Sequence, residues 1–358
     1  MTDRVFVIAE AGVNHDGSLA DALRMVDVAA EAGADAVKFQ TFDSAQLATR
    51  RAGKAAYQVR NTGADDGQLS MLKALELDRD AHHALADRAA ERGVRFMSTA
   101  FDLDSLAFLT TLDMPAIKIP SGDLTWGAML LQAARLGRPL IVSTGMATLD
   151  EIGDALAVIA FALTREGTPS GPAELAGAFA DPAAQAALRE RVTLLHCTTE
   201  YPAPLEAVNL RAMDLMAGTF GLPVGYSDHT LGMTVAIAAA ARGARVIEKH
   251  FTLDRSRPGP DHAASLEPEE LAAMIAAIRQ VETALGEARK APAPQEVGNR
   301  AIARRSLVAA RPIAAGEPFS LDNLTAKRPA DGLSPMALWP LLGRPSPRAY
   351  APDEAVEA

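Results

Sequence analysis

The chain is short of several things, and each shortage excludes a class of function. Its 358 residues contain one cysteine, Cys197. An intramolecular disulfide and a cysteine-built metal cluster are therefore impossible, and a reducing, cytoplasmic setting is expected. Basic residues are outnumbered, with 35 Lys and Arg against 45 Asp and Glu and a net charge of −10. Nucleic acid and anionic membrane are poor partners for such a chain, although a local cationic pocket can still take a small anion. No run approaches about eighteen uninterrupted apolar residues, so no spanning helix is expected. The start, MTDRVFVIAEAG, has no basic region and no small-residue cleavage site, and predicts no signal peptide. A Walker phosphate loop, a dinucleotide fingerprint and a serine-nucleophile elbow are all missing.

What is present is enough apolar material for a large core, 49% hydrophobic against 22% charged residues. Eight short apolar runs alternate with helix-like stretches: VFVIAEAG (5–12), ADAVKFQ (34–40), VRFMSTAF (94–101), AIKIPSG (116–122), PLIVSTG (139–145), VTLLHCT (192–198), PVGYSDH (223–229) and ARVIEKHF (244–251). Helices are expected at Leu19–Ala32, Arg79–Arg92 and Thr230–Arg242 among others. Apolar strands of this kind belong to a parallel sheet covered on both faces. Eight such units in about 285 residues predict an α/β fold, a closed (β/α)₈ TIM barrel, over residues 1–286. Residues 41–78 form a long excursion after the second run, with Tyr57-Gln58 and the polar stretch Asn61–Gln68, suited to cover the barrel mouth. Residues 164–188, rich in Ala, Gly and Pro, read as a surface insertion. A linker is expected over 287–300 and a small β-rich module over 301–358, with strands in SLVAARPI (306–313) and LTAKRPADG (324–332) and a turn at Ala315-Gly316-Glu317.

The ends of the apolar runs carry the chemical signal. They finish in Glu10, Lys38 with Gln40, Ser98 with Thr99, Lys118 with Ser121, and Ser143 with Thr144. The series continues with Thr198, with Ser227, Asp228 and His229, and with Glu248 and His250. Active sites of such barrels are built at this end of the strands. His229 and His250 end two consecutive strands about 4.8 Å apart and can meet one cation. They can equally be a hydrogen-bonding pair. Asp228 and Glu248 are candidate orienters of the two rings or further oxygen donors. Lys38 and Lys118, with Gln40, Ser121, Ser143 and Ser227, suit a phosphate or carboxylate, the alternatives being snorkelling to the rim or Schiff-base chemistry on Lys118. Glu10, Asp123 and Glu248 are candidates for proton transfer. Asp261, in a Gly-Pro-Asp-His turn, can bond sugar hydroxyls or close an Asx turn. His82 and His83 read as solvated or packing residues, and His196 as a satisfied core imidazole.

Across nearly the whole length the motifs IAEAGVNHDG (8–17), DAVKFQTF (35–42), AIKIPSGD (116–123), IVSTGMAT (141–148), LLHCTTEYPAP (194–204), GYSDHTLG (225–232), VIEKHFTLD (246–254), RPGPDHAASLEP (257–268), RRSLVA (304–309) and NLTAKRPADGLSPM (323–336) occur in order. In these the chain resembles the sialic acid synthase family, whose members carry a C-terminal antifreeze-like (SAF) domain. The resemblance implies a transferase that condenses phosphoenolpyruvate with the open-chain aldehyde of an N-acylated mannosamine-type sugar and releases phosphate. The acceptor implied is 2,4-diacetamido-2,4,6-trideoxymannose, giving N,N′-diacetyllegionaminate, or N-acetylmannosamine, giving N-acetylneuraminate; CTTEYPAP and AEAGVNH lean to the former. It implies His229 and His250 as ligands of a divalent cation, Mn²⁺ before Mg²⁺ or Co²⁺, polarising the aldehyde oxygen. Lys38, Gln40, Thr99, Lys118, Ser121, Ser143 and Ser227 match substrate-binding positions, chiefly for phosphoenolpyruvate. Glu10 and Asp123 match the water and proton steps, and Tyr201 and Asp261 the sugar side. A homodimer is implied, with the SAF domain of one subunit over the barrel of the other and Arg328 entering the acceptor site. Asp123 stands where many members have glutamate, Thr199 replaces an asparagine, and the 164–188 insertion is longer than usual. Two rival readings are a Schiff-base pyruvate aldolase on Lys118 and a non-catalytic sugar- or ice-binding protein.

Overall fold

The computed structural model describes residues 4–64 and 67–357. The chain divides into two compact units, before and after the Gly286–Glu287 junction. In the first, eight strands close into a barrel: β1 Phe6–Gly12, β2 Ala36–Thr41, β3 Arg95–Ala100, β4 Ile117–Ile119, β5 Leu140–Ser143, β6 Val192–Cys197, β7 Val224–Asp228 and β8 Val246–His250. Each strand is parallel to its neighbours, and β1 pairs with β8 to complete the ring.

Side chains alternate along a strand, and the barrel turns that rule into layers. Ile8, Ala36, Met97, Ala116, Ile141, Leu195 and Val246 form a buried apolar plug inside the barrel. Two residues further along each chain stand Glu10, Lys38, Thr99, Lys118, Ser143, Cys197 and Glu248, all buried. Six of the polar residues expected at strand ends, Glu10, Lys38, Thr99, Lys118, Ser143 and Glu248, thus take the next inward position above the plug. The outward positions pack against the helices as the main core.

The helices begin where the sequence caps them. Ser18, Asp78 and Asp102 each accept a backbone N–H of the first turn, and Thr148 with Glu151 forms a capping box at Leu149–Thr164. Helices Leu19–Glu31 and Arg79–Arg92 lie where expected. The helix expected from Thr230 starts only at Thr234, because the Thr230 N–H and hydroxyl are both held by Asp228. The 164–188 region contains two helices, Pro172–Phe179 and Pro182–Arg191, each opened by proline in its first turn. The first packs on Leu149–Thr164. The 41–78 excursion contains three short helices, Ser44–Leu47, Ala56–Thr62 and Gln68–Leu75; Asp65 and Asp66 of its polar stretch lie outside the described residues. No helix among the described residues is long and apolar enough to cross a membrane.

In the second unit, β9 Ser306–Ala309 and β10 Leu324–Lys327 pair antiparallel around a small core that includes Leu307, Ile313, Phe319, Leu341 and Tyr350. The turn at 315–317 is closed by the Ala314 N–H donating to the Glu317 carboxylate. Residues expected as a linker include an exposed helix, Pro294–Ala303.

Candidate active site

A cavity of about 400 Å³ opens at the C-terminal ends of the strands. Every expected site residue of the barrel lines it: Glu10, Lys38, Gln40, Thr99, Lys118, Ser121, Asp123, Ser143, Tyr201, Ser227, His229, Glu248, His250 and Asp261. Arg328 belongs to the second unit, where it is exposed.

The charged floor is a tight network. Lys38 Nζ lies 2.6 Å from Glu10 Oε2 and 3.5 Å from Glu248 Oε2, and donates to Thr99 Oγ1 at 3.0 Å. Lys118 Nζ donates to Glu248 Oε1 at 3.3 Å, and the Ser227 hydroxyl donates to the same oxygen at 2.9 Å. Burial opposes ionisation of Glu248, but Lys118, Lys38 and the Ser227 hydrogen bond outweigh it and hold the carboxyl well below its ordinary range. Burial likewise opposes the charge on Lys38, and Glu10 with Glu248 more than restores it. For Lys118 burial wins and its pKa is lowered. Glu10 is pushed by burial up to about 7 against the pull of Lys38. Two lysines therefore face two carboxyl groups, of which Glu248 is held ionised.

Beside this floor is a pocket of small donors. The Gly145 N–H donates to Ser121 Oγ at 2.9 Å, Ser121 Oγ lies 3.2 Å from Cys197 Sγ, and the buried Ser143 hydroxyl has no partner. A Cβ on Gly145 would stand 2.5 Å from Thr199 Oγ1 and 2.9 Å from both Cys197 Sγ and Ser121 Oγ. Only glycine leaves this corner open. Asp123, on the turn after β4, is raised to about 6 by burial.

The opposite side holds the imidazoles. The rings of His229 and His250 lie 5.6 Å apart. His229 Nδ1 donates to the Thr198 carbonyl at 2.6 Å, which leaves the Nε2 lone pair toward the Tyr201 hydroxyl at 3.1 Å and Ser227 Oγ at 3.4 Å. A ring nitrogen tied to a backbone carbonyl while the other stays free is the usual arrangement of a metal-binding histidine. His250 packs against Gly12, whose positive φ of 54° turns the chain beneath it; its buried Nδ1 has no hydrogen-bond partner and stands 4.0 Å from Asp261 Oδ2. Burial holds His229 near pKa 4 and His250 well below its usual value, so both rings are neutral and able to coordinate. Asp261 is raised to about 6 by burial, against His262 and Lys38. Among the described residues no three His, Cys, Asp or Glu side chains form a ready-made cage. A cation held by the two imidazoles would complete its shell with water or substrate oxygen, and the donor set fits that use.

Several residues differ from their expected places. Asp228 does not orient either ring; it holds Lys249 and Thr230 on the outer face of the strands. His82 is fully buried and bonded to Thr41 Oγ1 and the Asp78 carbonyl, a packing rather than a solvated residue. His196 is satisfied by the Val208 carbonyl. Cys197 and Thr199 line the cavity unforeseen, although their places in the sixth run and just after it were the available signal. Tyr57 stacks on Tyr201, which stacks on His229, with centroids 5.0 and 4.1 Å apart. Asn61 Nδ2 donates to the carbonyls of Tyr201 and Pro260 and so ties the excursion to two rim loops.

A family model described as the NeuB family matches residues 25–290, and one for the SAF domain matches 304–358. The N,N′-diacetyllegionaminic acid synthase of Campylobacter jejuni is 45% identical over 99% of both chains. That of Legionella pneumophila is 43% identical over 94% of this chain and 89% of its own. The crystal structure of the N-acetylneuraminic acid (sialic acid) synthetase from Leptospira borgpetersenii, in complex with citrate, superposes with a TM-score of 0.67 at 30% identity, covering 83% of this chain and 90% of that one. The chain belongs to the NeuB family, transferases that condense phosphoenolpyruvate with an amino sugar, and is closely related to the N,N′-diacetyllegionaminic acid synthases.

Proposed function

We propose that this barrel joins phosphoenolpyruvate to the aldehyde carbon of 2,4-diacetamido-2,4,6-trideoxymannose in its open-chain form. The observation that carries the reaction is one cavity with two ammonium groups at one side and two neutral imidazoles at the other. Lys38 and Lys118 neutralise the phosphate and carboxylate, with hydroxyls of Thr99, Ser121, Ser143 and Ser227 and the side-chain amide of Gln40 as further donors. NeuB-family enzymes generally require a divalent metal; held here by His229 and His250, a cation, Mn²⁺ in our reading, would act as a Lewis acid on the aldehyde oxygen.

The enolpyruvate C3 forms the new bond to the aldehyde carbon, whose π electrons move to its oxygen. Water adds at C2, and phosphate then leaves by cleavage of the C2–O bond, taking up the proton of the new C2 hydroxyl as the keto acid forms. Glu10 or Asp123 takes the proton of that water and returns one to the sugar oxygen. Tyr201 and Asp261 face the sugar.

The acceptor assignment is supported by the roof. Val13, Leu47, Met71, Leu72, Leu75 and Phe101 line the cavity as an apolar wall. A methyl at C6 and two acetamido methyls suit that wall, whereas a hydroxymethyl left there without a partner costs about 1–3 kcal/mol. From the resemblance we further propose a homodimer in which Arg328 of one subunit serves the acceptor of its mate. The unpaired Cys197 supports a cytoplasmic enzyme.

Phosphate release with phosphoenolpyruvate, Mn²⁺ and a panel of acceptors tests both parts. The diacetamido-trideoxy sugar is expected to exceed N-acetylmannosamine in kcat/KM by about ten-fold, from 1–2 kcal/mol. The opposite order overturns the acceptor, and no turnover with any acceptor overturns the reaction. Inactivation by borohydride with pyruvate would instead identify a Schiff base on Lys118.

A further inference from the structure

On the outer side of the barrel wall, directly behind the two histidines, lies a buried ion pair that the reaction does not use. Lys249 stands between Glu248 and His250 in β8, and alternation turns it outward when they face in. Asp228 immediately precedes His229. The two are register partners across β7 and β8. Lys249 Nζ donates to Asp228 Oδ2 at 3.1 Å and to the Thr230 carbonyl, and both side chains are fully buried. Asp228 Oδ1 accepts the Thr230 N–H at 2.9 Å and the Thr230 hydroxyl at 2.8 Å.

Stability does not account for such a pair, since apolar residues of similar volume usually serve as well or better. Its effect is geometric. One lysine spans the ends of two strands and pins the Asp228–Thr230 turn on which His229 rides. The need is plain at His250, whose Nδ1 has no hydrogen bond. The position of that ring relies on packing against Gly12 and on the backbone of β8, and Lys249 is the next residue along that backbone. We propose that Lys249, Asp228 and Thr230 form a positioning clamp that sets the spacing of His229 and His250 and thereby the affinity of the pair for a divalent cation. The clamp rests on the reading of these histidines as cation ligands.

The test uses the full-length, metal-free protein without phosphoenolpyruvate or sugar. Mn²⁺ binding is measured by the loss of the free-ion paramagnetic resonance signal, and melting by circular dichroism. Lys249→Met with Asp228→Asn removes both charges while keeping an acceptor for Thr230. The expected result is Mn²⁺ affinity lowered by about ten-fold or more, with the melting temperature shifted by only a few degrees. A folded double variant that binds Mn²⁺ as the parent does overturns the clamp. Thr230→Val, which removes one hydroxyl, decides if the double variant does not fold: it should weaken Mn²⁺ binding several-fold, and parental affinity overturns the proposal. His250→Ala separates the two readings. Parental Mn²⁺ binding by that variant would remove the histidines as ligands; loss of binding there beside retention in the clamp variants would defeat the clamp alone.

Discussion

The Tyr201 hydroxyl lies 3.1 Å from Nε2 of His229, the nitrogen left free by the bond from Nδ1 to the Thr198 carbonyl. In the ligand-free protein tyrosine and cation therefore compete for one lone pair. Tyr201→Phe keeps the stacking and removes the competitor. Mn²⁺ binding to the metal-free protein should tighten by about five-fold, corresponding to one hydrogen bond of about 1 kcal/mol. Calorimetric titration checks this, and weaker binding would make the hydroxyl a support for the cation instead.

Gly145 guards the donor pocket. Gly145→Ala places a methyl against Thr199, Cys197 and Ser121, and overpacking of this kind costs about 1–3 kcal/mol. The KM for phosphoenolpyruvate should rise by about ten-fold, with the acceptor KM little changed. Equal effects on both substrates would show that the pocket serves neither in particular.

Burial raises Asp123 to about 6, so its carboxylate form dominates only above that pH. If Asp123 rather than Glu10 takes the proton of the attacking water, it must be ionised. The kcat/KM should therefore fall as pH drops through about 6. Asp123→Asn should flatten that limb and lower the rate by about 10²–10⁴-fold. A limb that survives the substitution belongs to another group, with Glu10 the first candidate.

Arg328 is exposed in the C-terminal unit, next to Pro329. Arg328→Ala should raise the acceptor KM by about ten-fold or more, from 1.5–3 kcal/mol for a charged hydrogen bond, and leave phosphoenolpyruvate nearly unaffected. Mixing Arg328→Ala subunits with Lys118→Ala subunits should restore part of the activity if the arginine serves its mate's barrel. No recovery in proven mixed dimers would place its action elsewhere.

The barrel was legible because its eight strands are apolar and alternate with helical stretches, and its site because a polar residue follows the apolar plug by two at strand after strand. Lys38 and Lys118 could be named on that ground alone. What chain order could not supply was direction across the strand. Asp228 and Glu248 look alike as carboxylates near strand ends, yet Glu248 faces the cavity and Asp228 faces away to Lys249. Tyr57 stacks on Tyr201 through a contact made 144 positions apart, which no local pattern encodes. The late start of the helix at Thr234 has the same origin, since side-chain bonds to Asp228 override helical propensity at Thr230.

Glu10 and His250 are partners across the seam between β1 and β8. Two residues of the site, 240 positions apart in the chain, thus become neighbours only when the ring closes. A fragment that ends before β8 lacks Glu248, His250 and the strand that closes the barrel. Closing the ring at this seam and bringing Glu10 beside His250 are a single event.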